Sequence, residues 1–375
     1  MEYVQHLNLD RYGRMQRLNG NIRHYHWGSL TALSAFRGVE PSGLPEAELW
    51  YDTPKLPFLV KLLAVESPLS LQAHPNAVEA REGFLIEEAS GVSLEDTERS
   101  FRDDRAKPEL VCAMTPFHVL CGFRETDEAF EVGTKMGLPE QICKEVASLR
   151  SSDWPELIGD VLSSSNADLI REFVKKCTVA TMNNNQWSKV AKFVVKLADL
   201  YPDDPALLVI PLLRYCCLQP GEAIWILPGV LHSYLSGMAI EFMPPGDNVL
   251  RAGLTSKKVN YQGLVSIIDA TVVPPVIQSP VGSVHNYEGP DSSISVRRLI
   301  DTELRVRQTG PQLLICVGGS ASVLRKKDSM LTNIPTTDQI DLIPGDAVEI
   351  MEEGRSVDRI FVRVAGEAYL VGIDR

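Results

Sequence analysis

Apolar residues recur along this chain in two rhythms, and the changes of rhythm divide it into three stretches. Up to about residue 123, short apolar runs are broken by Pro and Gly. Phe58-Leu-Val-Lys-Leu-Leu-Ala-Val65 and Phe117-His-Val-Leu-Cys-Gly-Phe123 are short and rich in branched or aromatic residues, and each predicts a strand. From about 124 to 203 the period lengthens. Trp187, Val190, Phe193, Val194 and Leu197 form one helical stripe, and Leu169, Ile170, Phe173, Val174 and Cys177 form another. Asn166 stands where a helix N-cap belongs, and Tyr201-Pro-Asp-Asp-Pro205 ends the helical stretch. After about 206 the strand rhythm returns. Ala223–Leu227 and Met238–Met243 flank a Pro228-Gly229 turn, and Leu313–Val317, Gln339–Ile343 and Arg359–Val364 follow.

Many short strands with Gly/Pro turns predict a mainly β protein, a sandwich or jelly roll, with an α-helical insertion. A faint internal echo suggests two related β modules. Pro220-Gly-Glu-Ala-Ile224 is answered by Pro344-Gly-Asp-Ala-Val348. The first copy runs on to His232, whereas the second runs into Glu352-Glu-Gly354 with no histidine, so only the first is expected to hold a metal.

Composition changes this picture little. With 375 residues, 44% of them apolar, the chain can bury more than one core. The net charge of −12 argues against a nucleic-acid backbone as partner, yet a local basic pocket could still take an anionic small molecule. No apolar run reaches membrane-spanning length, and Met1–Asp10 lacks the charged and apolar regions of a secretion signal, so a cytoplasmic protein without membrane contact is expected. Seven scattered cysteines without a Cys-x-x-Cys motif favour reduced thiols over a thiolate metal site.

The candidate chemistry lies in three separate segments. Gln72 and His74 are two apart, so on a strand they share a face. Glu109 follows Lys107-Pro108, and His232 follows the Pro228-Gly229 turn. Two nitrogen and two oxygen donors suit a catalytic Zn²⁺ or similar ion. Each has a plainer reading too. His232 could be a core histidine, as is expected of His118, and Lys107–Glu109 an exposed ion pair of little energetic weight. Lys61, inside an apolar strand, must reach solvent or a counter-charge, for which a substrate phosphate would serve.

Taken together, these segments resemble the type I mannose-6-phosphate isomerases. The resemblance rests on Tyr25-His-Trp-Gly28, Ala47-Glu-Leu-Trp50, Pro57-Phe-Leu-Val-Lys61, Leu69-Ser-Leu-Gln-Ala-His-Pro75, Lys107-Pro-Glu109, Leu231-His-Ser-Tyr-Leu235 and Asp247-Asn-Val-Leu-Arg-Ala-Gly-Leu-Thr255, in that order. It implies a bicupin, two jelly-roll barrels with a helical insertion. Residues 1–123 and 204–275 would form the catalytic domain, 124–203 the helical domain and 276–375 a metal-free cupin domain. It implies one zinc per chain on Gln72, His74, Glu109 and His232, and exchange of mannose 6-phosphate with fructose 6-phosphate through a cis-enediolate.

Catalytic roles are implied for Arg251, Lys107 and Glu241, and substrate contacts for Lys61, Lys257, Trp27, Glu48, Ser70, Asp247 and Tyr234. Arg251 could instead simply pair with Asp247. The chain departs from the family pattern in two places. Arg105-Ala106 stands where Asn-His usually precedes Lys-Pro-Glu, and the stretch after Trp50 is short. Two rival readings follow: a non-catalytic sugar-phosphate binder, and another metal-dependent cupin enzyme. A monomer is the default expectation.

Overall fold

The computed structural model describes residues 15–96, 99–164, 166–182, 187–271, 275–290, 294–307, 310–326, 337–351 and 359–373. Among these residues the strands form two antiparallel sheets. One contains β1 (Met15–Leu18), β12 (Val284–Tyr287), β13 (Ser295–Val306), β14 (Gln312–Lys326), β15 (Thr337–Leu342), β16 (Ala347–Ile350) and β17 (Arg359–Gly372). Its order is β1-β16-β14-β17-β13-β12, with β15 on the far half of β14.

The other contains β2 (Asn21–Arg23), β3 (Glu48–Tyr51), β4 (Leu59–Val65), β5 (Leu71–Ala73), β6 (Glu109–Ala113), β7 (Phe117–Phe123), β8 (Leu213–Leu218), β9 (Ala223–Ile226), β10 (His232–Met243) and β11 (Leu250–Gly253). Strand β10 is its pivot. The first half of β10 pairs with β5 and β7, and the second half with β4 and β6. A bulge between Tyr234 and Ser236 and a φ of +113° at Gly237 mark the switch. A Cβ at Gly237 would stand 2.5 Å from the Pro116 carbonyl oxygen, so glycine is required there.

Among the described residues five α-helices lie between β7 and β8: α3 (Thr126–Met136), α4 (Glu140–Ser148), α5 (Trp154–Ser164), α6 (Ala167–Ala180) and α7 (Ser188–Leu200); outside them lie α1 (Ala32–Arg37), α2 (Ala77–Ala89) and α8 (Tyr261–Ile267). Asn166 caps α6, its side chain accepting the Leu169 N–H at 3.0 Å. Ile170, Phe173 and Cys177 turn inward, while Leu169, expected in the stripe, stays 39% exposed because the buried arc is narrower than the sequence pattern. These helices share an apolar core with Leu71, Ala73 and Leu120 of the sheet.

The two sheets also share a core. Leu49, Tyr51, Leu62 and Phe242 pack with Val296, Leu313, Ile315 and Tyr369. The first described strand crosses the division expected at residues 1–123: β1 hydrogen-bonds to β16 and so joins the sheet built from the end of the chain. Arg17 anchors it there by bonding Asp346. The echoed turns correspond, with Gly221 at φ +88° before β9 and Gly345 at φ +89° before β16. Glu352–Gly354 lie outside the described residues. All seven cysteines are free. No described helix is long and apolar enough to cross a membrane.

Candidate active site and metal centre

Strand register brings remote residues into rows. Gln72 of β5 lies opposite His232 of β10 on one side and Arg251 of β11 on the other. Lys61 of β4 lies opposite Glu241 of β10 on one side and Trp50 of β3 on the other. Directly opposed residues share a face of the sheet, so each row is a line of neighbouring side chains.

At the His232 end of the first row, His74, Glu109 and His232 converge, their ligand-grade atoms all within 4.8 Å of one another. The three are 1–2% exposed. His74 Nδ1 donates to the Asn248 carbonyl at 2.7 Å, and His232 Nδ1 donates to the Val230 carbonyl at 2.9 Å. A carbonyl can only accept, so the proton of each neutral ring sits on Nδ1 and each Nε2 carries a bare lone pair. These nitrogens face Glu109, with His74 Nε2 3.3 Å from Oε1 and His232 Nε2 3.8 Å from Oε2. His74 Nε2 is buried without a hydrogen-bond partner. Two imidazole lone pairs and a carboxylate turned toward one another in a buried site form a donor set that fits a divalent cation such as zinc.

Electrostatics agree with that fit. Burial pushes the His232 imidazole down to about 4, with His74 adding to the effect. Burial and Lys107 lower His74 as well. Burial alone would raise the Glu109 carboxyl, but Lys107 and the two imidazoles hold it well below the usual range. All three side chains are therefore in the protonation states a metal needs. Gln72 stands beside the group with its NH₂ 3.5 Å from His232 Nε2 and its oxygen accepting from the Ser70 hydroxyl at 3.0 Å. A half-turn of this near-isosteric amide would aim the oxygen at the ion instead.

Lys107 is not the exposed charge its bland reading supposed. It is 5% exposed and forms an ion pair with Glu109, its ammonium 2.8 Å from Oε1. Its neighbours alternate as extended chain must: Lys107 and Glu109 face the main pocket, whereas Ala106 and Pro108 line a separate cavity with Glu79 and Asp269.

The main pocket encloses about 860 Å³, counting its open mouth. Every sequence-derived candidate lines it except His74 and His232, which lie behind its wall. On its floor Lys61 donates to Glu241 Oε2 at 3.1 Å, and the Tyr234 hydroxyl donates to Glu241 Oε1 at 2.8 Å while standing 3.3 Å from Glu109 Oε2. The counter-charge of Lys61 is therefore a carboxylate of the same pocket. Burial, then Glu109, pushes the Glu241 carboxyl up despite Lys61. Burial works against the Lys61 ammonium, but Glu241 and Glu48 outweigh it and raise its pKa.

Trp50 was not picked out from the sequence. Its ring lies 4.9 Å from the Lys61 ammonium, and its indole N–H bonds Glu48. The spacing of Glu48 and Trp50, two apart on a strand, was the available signal. At the mouth stand Arg251 and Lys257, the latter's ammonium 5.4 Å from the Tyr25 ring centre. Asp247 pairs with Arg102 at 3.7 Å, not with Arg251. Burial lowers the pKa of both Arg251 and Lys257, and for Lys257 the nearby Arg251 adds to the effect. His26 and Tyr201, also absent from the sequence-derived set, complete the rim.

Comparison with known proteins gives one consistent answer. Residues 51–126 match the family model for the catalytic domain of type I phosphomannose isomerase. A mannose-6-phosphate isomerase of Escherichia coli (strain K12) is 30% identical over 383 residues, spanning 90% of this chain and 94% of its own. One of Shigella flexneri gives the same figures. The crystal structure of mannose 6-phosphate isomerase from Salmonella typhimurium, bound to substrate (f6p) and zinc, superposes with a TM-score of 0.81 at 25% identity, covering 96% of this chain and all of that one. With a relative at this identity aligned along nearly its whole length, and with the buried His-Glu-His group in place, the chain belongs to the type I mannose-6-phosphate isomerase family.

Proposed function

We propose that this chain is a zinc-dependent aldose–ketose isomerase interconverting mannose 6-phosphate and fructose 6-phosphate. The observation that carries the reading is the buried cluster of His74, Glu109 and His232, whose ligand atoms face one another behind a pocket holding both acids and cations. His74, Glu109 and His232 would hold the zinc, with Gln72 as fourth ligand after its amide turns. When bound, zinc would offset the negative charge that develops on the sugar's O1 and O2.

The remaining chemistry falls to the pocket's own side chains. Isomerisation takes the proton from C2 and returns it to C1, and Glu241 carries it. Its carboxyl is raised by burial, so accepting a proton costs less than for an ordinary carboxylate. Lys61 and Tyr234 each donate to one Glu241 oxygen and fix its direction. Lys107 keeps Glu109 ionised. Arg251, a permanent cation with no carboxylate bonded to it among the described residues, stabilises the enediolate. Lys257 at the mouth meets the phosphate, while Trp27, Glu48, Ser70 and Asp247 line the sugar's path.

The β architecture supports a bicupin reading. Each sheet would be one cupin module, the first built from residues 1–123 and 204–275 apart from β1, the second from 276–375, with 124–203 inserted as helices. The deciding experiment is a coupled assay on zinc-loaded protein. It should show turnover in both directions, abolished by chelator and restored by zinc. No turnover at full zinc occupancy would remove the enzyme reading.

A further inference from the structure

The segment that closes the helical stretch, Tyr201-Pro-Asp-Asp-Pro205, reaches two arms of the pocket. Tyr201 lines the pocket, and its hydroxyl lies 3.1 Å from His26 Nε2 on the Tyr25–Trp27 arm. Three residues on, Asp204 reaches the segment after β11 that runs from Leu254 to Lys257. Its Oδ2 accepts the Leu254 N–H at 2.6 Å, and its Oδ1 accepts the Ala206 N–H at 2.9 Å.

The backbone at that contact is unusual. Leu254 is a leucine at φ +57°, in the left-handed region where a Cβ is disfavoured. The residue before it is Gly253 at φ +153°, where a Cβ would stand 2.5 Å from Asp204 Oδ1. The Leu254 side chain is buried in the same apolar cluster as Ala206, Leu207 and Leu208. A strained conformation persists only when its surroundings hold it, and here the holders are that apolar anchor and the Asp204 carboxylate.

We propose that Asp204 is a positioning residue for the reaction: by holding Leu254 left-handed, it sets the path of the segment that leads from the end of β11 to Lys257 and so where that cation meets the sugar phosphate. This rests on the reading of Lys257 as substrate-facing. The helical stretch thereby acts on the active site through its last turn.

The test is a kinetic comparison on zinc-loaded full-length protein with fructose 6-phosphate. Asp204→Asn turns an NH₂ toward one of two amide donors. Its KM should rise about tenfold or more, since a small misplacement of binding groups is costly. Zinc content should stay at one per chain. Asp203→Asn, which only removes the neighbouring Arg171 pair, should leave KM unchanged. If Asp204→Asn does not fold, Asp204→Glu keeps the charge, displaces the acceptors by one methylene, and should show the same rise in KM. A wild-type KM in the Asp204 variant, or a loss that tracks missing zinc, overturns the proposal alone. An inactive wild-type chain overturns the isomerase reading and the proposal with it.

Discussion

Lys61 and Glu241 face each other across neighbouring antiparallel strands, and their side chains meet at 3.1 Å on the pocket floor, both almost wholly buried. A buried pair of this kind is more costly to break than to replace, because a lone survivor keeps its charge without a partner. Lys61→Met should cost on the order of 3–5 kcal/mol of stability, whereas Lys61→Met with Glu241→Leu should recover most of it. Activity should behave differently. Glu241→Gln should lower kcat by about 10²–10⁴-fold, and the stable double variant should be no better. Urea unfolding and kcat measured on the same four proteins separate the two effects. Activity that returns together with stability would make the pair merely structural.

The metal-free protein should become less stable as pH falls through the histidine range. His232 titrates near 4 in the fold, against 6.5 for an ordinary histidine. The unfolded chain therefore binds a proton that the folded chain refuses between those values, so protonation favours unfolding as pH drops from 6.5 to 4. The shift of 6.5 − 4 corresponds to a loss on the order of 3 kcal/mol. Glu109, held well below the usual range, adds its own loss only below the ordinary carboxylate value of 4.5. Unfolding free energies of chelator-treated protein at several pH values would read this directly. His232→Asn should reduce the slope between 6.5 and 4, and His74, lowered by burial as well, should keep the remainder. An unchanged slope in that variant would assign the effect elsewhere.

What could be read from the chain and what could not divide along range. The strands at Leu59–Val65 and Phe117–Phe123 and the Asn166 cap follow from local rhythm and turn chemistry. The residue types of the site stood out because a histidine, a lysine or a glutamate inside an apolar run demands an explanation. Their distances were not legible. Lys61 and Glu241 are 180 residues apart, and only the register of β4 on β10 makes them partners. A phosphate was the natural guess for Lys61 because no carboxylate is near it in sequence. Likewise β1 carries no mark of its distant partner β16, and Asp204 looks like ordinary turn chemistry until Leu254 is seen on it.

Ala106 offers a sharp test of the alternation around Lys107. Ala106 and Pro108 line a cavity with Glu79 and Asp269, while Lys107 and Glu109 face the main pocket. A histidine at 106 would therefore point away from the sugar, although the family pattern usually has one there. Ala106→His should leave kcat/KM within about threefold of wild type, the scale of an ordinary substitution outside the site. A gain of tenfold or more in the coupled assay would mean that the side chain at 106 reaches the reacting carbons.

Arg251 and Lys257 should separate kinetically, although both are cations at one mouth. Arg251 lies across the strand from Gln72, beside the metal group, and its planar fork can follow charge as it develops. Lys257 stands at the rim beside Tyr25 and meets charge that is present throughout the reaction. An interaction equal in ground and transition states changes KM, and one made only in the transition state changes kcat. Lys257→Ala should then raise KM about tenfold with kcat nearly unchanged and should weaken inhibition by inorganic phosphate. Arg251→Ala should lower kcat by about 10²–10³-fold, and Arg251→Lys should recover little because an ammonium cannot reproduce the fork. Both variants should keep their zinc. Equal effects on KM from the two substitutions, or loss of zinc with Arg251, would end the division of labour between them.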